Sequence, residues 1–227
     1  MSMTEDVARY YALLADEYDV AAGYTDPSAE KLRDGMKARF REAVKGRDVL
    51  EIACGNGYWT QVISAAARSV LATDVDPGMI SIARRRLSSA GNVRCQVADA
   101  YSLDGISGRF TAAFAHWWWS HVPKSRMDSF LSVLHSRLGP EALVLFADQL
   151  PYAREKRWRD EEGNLLEERT LPNGHKMSIV KNFPSEEEII HRLKDMAENV
   201  DYREYTREGF WILSYNKKRR SPSTLRR

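Results

Sequence analysis

The sequence predicts an α/β fold: a mostly parallel sheet with helices on both faces, closed by antiparallel strands at one edge. Two observations predict it. Between Val49 and Ala147, short apolar runs alternate with helical stretches, which is the pattern of strands joined by helical crossovers. After Asp148 that alternation stops, and turn dipeptides at Gly163-Asn164 and Asn173-Gly174 punctuate a polar stretch. Turns of that kind between β-forming residues indicate an inserted antiparallel segment, here 158–180.

The elements follow in order. An amphipathic helix is expected over 4–19, with Tyr10, Leu13, Leu14 and Tyr18 near one face. A second opens after Asp26-Pro27-Ser28 and runs to Val44, because proline suits a first helical turn. Strands are expected at 49–53, 69–73, 93–97, 110–115 and 142–147, and helices at 58–66, 77–88 and 124–138. Ser185 with Glu188 three residues later is a capping box, opening a helix expected to reach Asn199. The stretches 202–205 and 209–215 read as the antiparallel edge pair.

Length and composition suit one domain with a full core: 227 residues, 43% hydrophobic and 29% charged. The apolar run from Phe110 to Trp119 is about half of what a bilayer requires. The first residues carry acids and no basic-then-apolar leader, so no signal peptide is expected. Cys54 and Cys95, alone in apolar surroundings, do not make a disulfide framework, so a reducing, cytoplasmic setting is expected. Net charge is +2, but Lys217 to Arg227 holds six basic residues and no acid, leaving a body of net −4. A body of that sign argues against nucleic acid as partner.

The chemistry is written at three strand ends. Val49 to Trp59 runs from a buried strand through Gly55-Asn56-Gly57 into a helix. Such glycines let backbone approach a ligand, and the helix start offers free N–H groups. A dinucleotide fingerprint would need a third glycine where Thr60 stands, which disfavours an NAD-dependent oxidoreductase. The second strand ends in Asp74, whose carboxylate can accept both hydroxyls of a ribose, with Val75 and Met79 as apolar flanks for a ring. The third ends in Val97-Ala98-Asp99-Ala100. All three lie on the carboxyl edge of one sheet, where open α/β sheets bind ligands.

Glu51 with Gly55 and Gly57, then Asp74, then Asp99-Ala100 resemble motif I and its successors in class I S-adenosylmethionine (SAM) methyltransferases, a Rossmann-like fold. The resemblance covers 49–147 and implies SAM as cofactor and no metal. It implies that Glu51 orients the glycine loop or binds the methionine end, and that Ala53, Gly55, Gly57 and Trp59 also contact the cofactor. Asp74, Val75 and Met79 would hold the ribose and adenine, and Asp99 and Ala100 the adenine edge. His116 stands where relatives contact the methionine moiety. The fourth strand lacks the Asn/Asp-Pro-Pro-aromatic motif of nucleic-acid amino-methyltransferases. His121-Val122-Pro123 instead resembles small-molecule enzymes of the ubiquinone and menaquinone type.

A hydroxyl acceptor needs a base, and His121, or secondly His116, has the right chemistry; the alternative is a histidine that only pins its loop. Of Trp117, Trp118 and Trp119, at least one is expected in the core and another in the cleft, with Trp117 and Trp118 the candidates for substrate contact. Asp148 ends the fifth strand and is expected to touch substrate or to cap the turn. Tyr11 and Tyr18 share a helix that in similar enzymes lids the cofactor, or else they are plain core. His135 and His175 read as surface residues, and the charges of 152–180 as a solvated face.

The reading is one methyltransferase domain over 1–216: a helical lid (1–46), a cofactor core (47–148), and a substrate-side insertion with the edge strands (149–216). The basic tail at 217–227 is expected to be disordered. The activity is methyl transfer to an O, N or C atom of a small aromatic or apolar metabolite. RNA methylation and a non-catalytic SAM-binding sensor or partner subunit are the alternatives. Monomer and homodimer both stay open.

Overall fold

The computed structural model describes residues 3–153 and 156–219. Of the tail expected to be disordered, Lys217 is instead the last residue of the final strand, held by pairing with Ala197, and the part beyond Arg219 lies outside the described residues. Five parallel strands, β1 (Asp48–Glu51), β2 (Ser69–Asp74), β3 (Val93–Val97), β4 (Phe110–His116) and β5 (Leu138–Gln149), form most of one sheet. Two antiparallel strands, β9 (Ala197–Tyr205) and β10 (Phe210–Lys217), extend it in the order β3-β2-β1-β4-β5-β10-β9. Strands β6 (Arg157–Arg159), β7 (Leu165–Thr170) and β8 (Lys176–Val180) form a separate antiparallel sheet, which is the insertion expected after the fifth strand. The order reverses between β1 and β4, and the crevice beyond their carboxyl ends is where such sheets receive ligands.

The helices are α1 (Met3–Leu14), α2 (Tyr18–Ala21), α3 (Pro27–Val44), α4 (Tyr58–Ser64), α5 (Pro77–Arg86), α6 (Met127–Ser136) and α7 (Glu186–Leu193). Their starts follow from local chemistry. Asp26 caps α3 through Ser28 N (2.9 Å), and Asp76 caps α5 through Met79 N (2.7 Å). Ser185 and Glu188 close the expected capping box on α7. Of the helices that end earlier than the sequence suggests, the first and the last depart most at their carboxyl ends. The first breaks at Leu14 into a 3-10 turn and α2, and there Asp19 accepts from Asn56 Nδ2 (2.7 Å) and pairs with Arg86, tying α2 to the glycine turn. The last stops at Leu193 because Ala197 already pairs with Lys217 in the sheet.

The two sheet faces bury separate cores. One gathers Phe130, Phe146, Trp211 and Tyr215; the other gathers Phe40, Trp59, Ile63 and Phe114. A third cluster joins Val7, Tyr10 and Leu14 of α1 to Leu171, Ile179 and Val180, so the N-terminal helix docks on the inserted sheet. His135 belongs to the core rather than the surface. Its Nε2 meets Tyr215 Oη at 2.9 Å, and burial, with Lys217 nearby, pushes its pKa down to about 4. Cys54 is buried and Cys95 half-buried, both as free thiols. Among the described residues no helix is long and apolar enough to cross a membrane.

Candidate active site

Beyond Glu51 the chain turns through three left-handed residues, Ala53 (φ 52°), Gly55 (φ 54°) and Gly57 (φ 81°). Gly57 is required twice over: its φ is one that side chains resist, and a Cβ there would lie 3.1 Å from Ala83 Cβ and Leu87 Cδ1. A Cβ on Gly55 would meet nothing within 4 Å, which leaves room above the turn. Asp74 braces it, accepting from Gly55 N (2.9 Å) and Asp76 N (3.0 Å). Because Asp76 caps α5, Asp74 is left to face the crevice.

A cavity runs from this turn across the sheet edge. Its first end is lined by Ala53, Gly55, Asp74, Val75, Met79, Asp99 and Ala100; its second by Tyr11, Tyr18, His116, Trp117, Trp118 and His121. Burial raises the pKa of Asp74. Just behind the turn, Glu51 is only 2% exposed, and its Oε2 has no hydrogen-bond partner. Burial pushes its pKa up to about 8. Carboxyl groups held this way are suited to a ligand that brings hydroxyl donors and positive charge, as SAM does with its ribose, ammonium and sulfonium.

At the second end, Tyr11 Oη and His121 Nε2 are 2.9 Å apart, and His121 Nδ1 is 2.7 Å from Val180 O. A carbonyl only accepts, so Nδ1 carries the proton and Nε2 accepts from Tyr11. Burial first, then the Lys181 charge, holds the pKa of both His121 and His116 well below normal, so both rings are neutral. His116 lies between Trp59 and Trp117, with ring centres 4.4 and 4.6 Å away, and its Nε2 has no partner. Trp117 adopts φ 55°, a conformation uncommon for a large side chain, and its N–H is fixed by Ala147 O at 2.8 Å. Trp118 also lines the cavity, whereas Trp119 packs on Phe146 and Trp211 in the core.

Several expected residues stand back from the cavity. Trp59 is core, with Nε1 donating to Tyr24 Oη (3.0 Å) and its ring against Phe40. Glu51 and Gly57 support the turn without lining the space. Asp148 does not reach it either. It is fully buried and accepts from Ser120 N (2.8 Å), Ser120 Oγ (3.0 Å) and Gln149 N (2.7 Å), so it fixes the loop before His121, which is the capping role of the two expected for it.

Two residues that the sequence does not single out complete the picture. A second cavity of about 260 Å³ shares Tyr11, Tyr18 and Trp117 with the first and adds Tyr10, Gln149, Tyr152, Arg169 and Lys181. Lys181 Nζ donates to Ser120 Oγ at 2.8 Å and lies 3.5 Å from Asp148 Oδ1. Arg169 donates to Tyr152 Oη at 2.8 Å and pairs with Glu167. The one sequence signal was a lysine directly after the apolar pair Ile179-Val180.

A methyltransferase domain model matches residues 49–141. The chain is 28% identical over 120 residues to phosphoethanolamine N-methyltransferase 1 of Caenorhabditis elegans, covering 52% of this chain and 25% of that enzyme. It is 31% identical over 93 residues to demethylmenaquinone methyltransferase of Clavibacter sepedonicus, covering 40% and 38%. The chain therefore spans between a quarter and about half the length of the first curated relatives it matches. Among solved structures it is similar to the DhpI-SAH complex (TM-score 0.75, 30% identity, 96% of this chain and 98% of that one). The DhpI-SAM-HEP complex is similar too (TM-score 0.71, 29% identity, 93% and 96%).

Proposed function

The chain belongs to the class I SAM-dependent methyltransferases, and from that premise we propose that it methylates a small molecule seated among Tyr11, Trp117 and His121. The observation that carries this is the roof over the cavity. Val7, Ala8 and Tyr11 of α1 lie over the carboxyl edge of the sheet, so the second end is a lined recess and not an open groove for a polymer. Residues 1–46 act in this reading as the lid.

SAM, when bound, supplies a methyl group already activated on a sulfonium. Asp74 receives the ribose hydroxyls, Asp99 and the Ala100 N–H the adenine edge, with Val75 and Met79 flanking the ring. The tryptophans exclude water and align the acceptor, which is where much of the acceleration in such a displacement arises. Tyr11 Oη donates to His121 and keeps its own oxygen free to accept a hydrogen bond from the acceptor. His121, neutral and fixed by Val180 O, is the base behind Tyr11, so an acceptor proton would pass through the phenol. His116, also in the lining, packs its ring against Trp117 and positions it.

Calorimetric titration with S-adenosylhomocysteine (SAH), SAM and NAD tests the cofactor, and a mass-shift screen of small metabolites tests the acceptor. Binding of the two adenosyl compounds with methylation of a metabolite is the expected result. Turnover of RNA or protein with no small-molecule product would overturn the acceptor assignment.

A further inference from the structure

We propose that the acceptor carries an oxyanion, a carboxylate or a phosphate-type group, bound in the second cavity by Arg169 and Lys181. The proposal rests on the methyltransferase reading above and names the substrate class of that same site. Among the described residues, the lining of this cavity contains two cationic side chains, two tyrosines (Tyr10 and Tyr152) beyond those it shares with the first cavity, and no carboxylate. Behind the wall, the charges of the described residues do not balance. Arg157, Arg169 and Lys181 meet two carboxylates, Glu167 and Asp148; Glu167 is shared between both arginines, and Asp148 is already occupied by Ser120 and Gln149 N. Glu168 turns outward to Lys156 and Lys176 and takes no part.

Burying a cation is costly unless it is paired, so this surplus needs a reason. The closest partner of Lys181 Nζ is a hydroxyl at 2.8 Å, with the carboxylate oxygen farther away at 3.5 Å. One contact from Arg169 goes to a neutral phenol. An arginine fork with an ammonium beside it matches the oxygens of a small oxyanion, and Tyr152 Oη lies next to them. Burial lowers the pKa of Lys181, and an entering anion would reverse that pressure. The wall shared through Tyr11 and Trp117 puts the anion one side chain away from the Tyr11–His121 pair. Trp117 Nε1, buried without a partner, is a further donor at that boundary.

The test is calorimetry on SAH-saturated full-length protein, titrated with inorganic phosphate in one arm and acetate in the other. At least one anion is expected to bind in the millimolar range, and the stronger arm identifies the oxyanion. Arg169→Gln is expected to weaken it at least about tenfold while leaving SAH affinity within about twofold. That variant leaves Glu167 paired with Arg157. Lys181→Met strands Asp148, so Tyr152→Phe serves as the second variant, with an expected loss of a few fold. Three results would each overturn the proposal: no binding of either anion, unchanged binding by Arg169→Gln, or lost SAH affinity in Arg169→Gln, which would assign these cations to the carboxylate of the cofactor. Failure of wild-type protein to bind SAH would bring down the functional reading itself and, with it, this one.

Discussion

The two ends of the site are built from opposite charges. Among the described residues, the cavity at the sheet edge is lined by Glu5, Asp74, Asp76 and Asp99 and by no lysine or arginine; the adjoining one is lined by Arg169 and Lys181 and by no acid. Glu5 belongs to α1, whereas Asp74, Asp76 and Asp99 stand at or just past strand ends and are held by backbone N–H groups. The cations come from the inserted sheet and are held by side chains. On the proposed reading, the difference teaches that a common cofactor is met by backbone geometry of the sheet, and an acceptor by side chains borne on an added element.

The largest effect is expected at the acidic end. Asp74→Ala removes the acceptor for two ribose hydroxyls, at about 1.5–3 kcal/mol for each hydrogen bond to a charged group. SAH affinity should fall by about 100-fold or more in calorimetry. A loss under about threefold would leave the acidic end without a role. Gly57→Val forces a side chain into a left-handed φ and against Ala83 and Leu87. About 2 kcal/mol of stability should be lost, read as a Tm lower by roughly 4–8 °C; an unchanged Tm would mean the turn is not confined.

The two ends should also respond oppositely to pH. Glu51, raised to about 8 in the folded chain, binds its proton more tightly there than when unfolded. Its contribution is present below the ordinary carboxylate range and is lost as pH rises toward 8, at about 1.4 kcal/mol per pH unit. His116 and His121 are depressed, so their contribution is present above pH about 6.5 and is lost as pH falls. Urea unfolding of Glu51→Gln should flatten the alkaline slope alone, and His121→Gln should reduce the acid slope alone. If each variant altered both limbs, the ends would not be separable.

The smallest change is expected from Tyr11→Phe. SAH affinity should stay within about threefold, since one neutral hydrogen bond is worth about 1 kcal/mol or less. Turnover on any acceptor found should fall and lose its dependence on the histidine. Unchanged turnover and pH profile would take Tyr11 out of the proton path.

The same contrast explains what was legible. The glycine turn, Asp74 and Asp99 were readable because each sits where a strand must stop, and a few neighbouring residues decide that. The parallel core and the antiparallel excursion were readable from their periods and turn dipeptides. Arg169 and Lys181 were not, because their stretch is polar and reads as solvated; only the docking of α1 and the return of β8 to Ser120 bury them. The burial of His135 was misread for a related reason, and the settings of Trp59 and Asp148 were not legible either. Which face of an element is covered depends on a partner remote in sequence, Tyr215, Tyr24 and Ser120 respectively.

Val180 and Lys181 are consecutive residues. The carbonyl of the first fixes which nitrogen of His121 is protonated, and the ammonium of the second faces the outer recess. On the proposed reading, selectivity and proton geometry are thereby inherited as a single part. A chimera that imports a relative's insertion together with its junction to β8 would carry both traits across in one exchange, whereas a swap ending before residue 180 would split them.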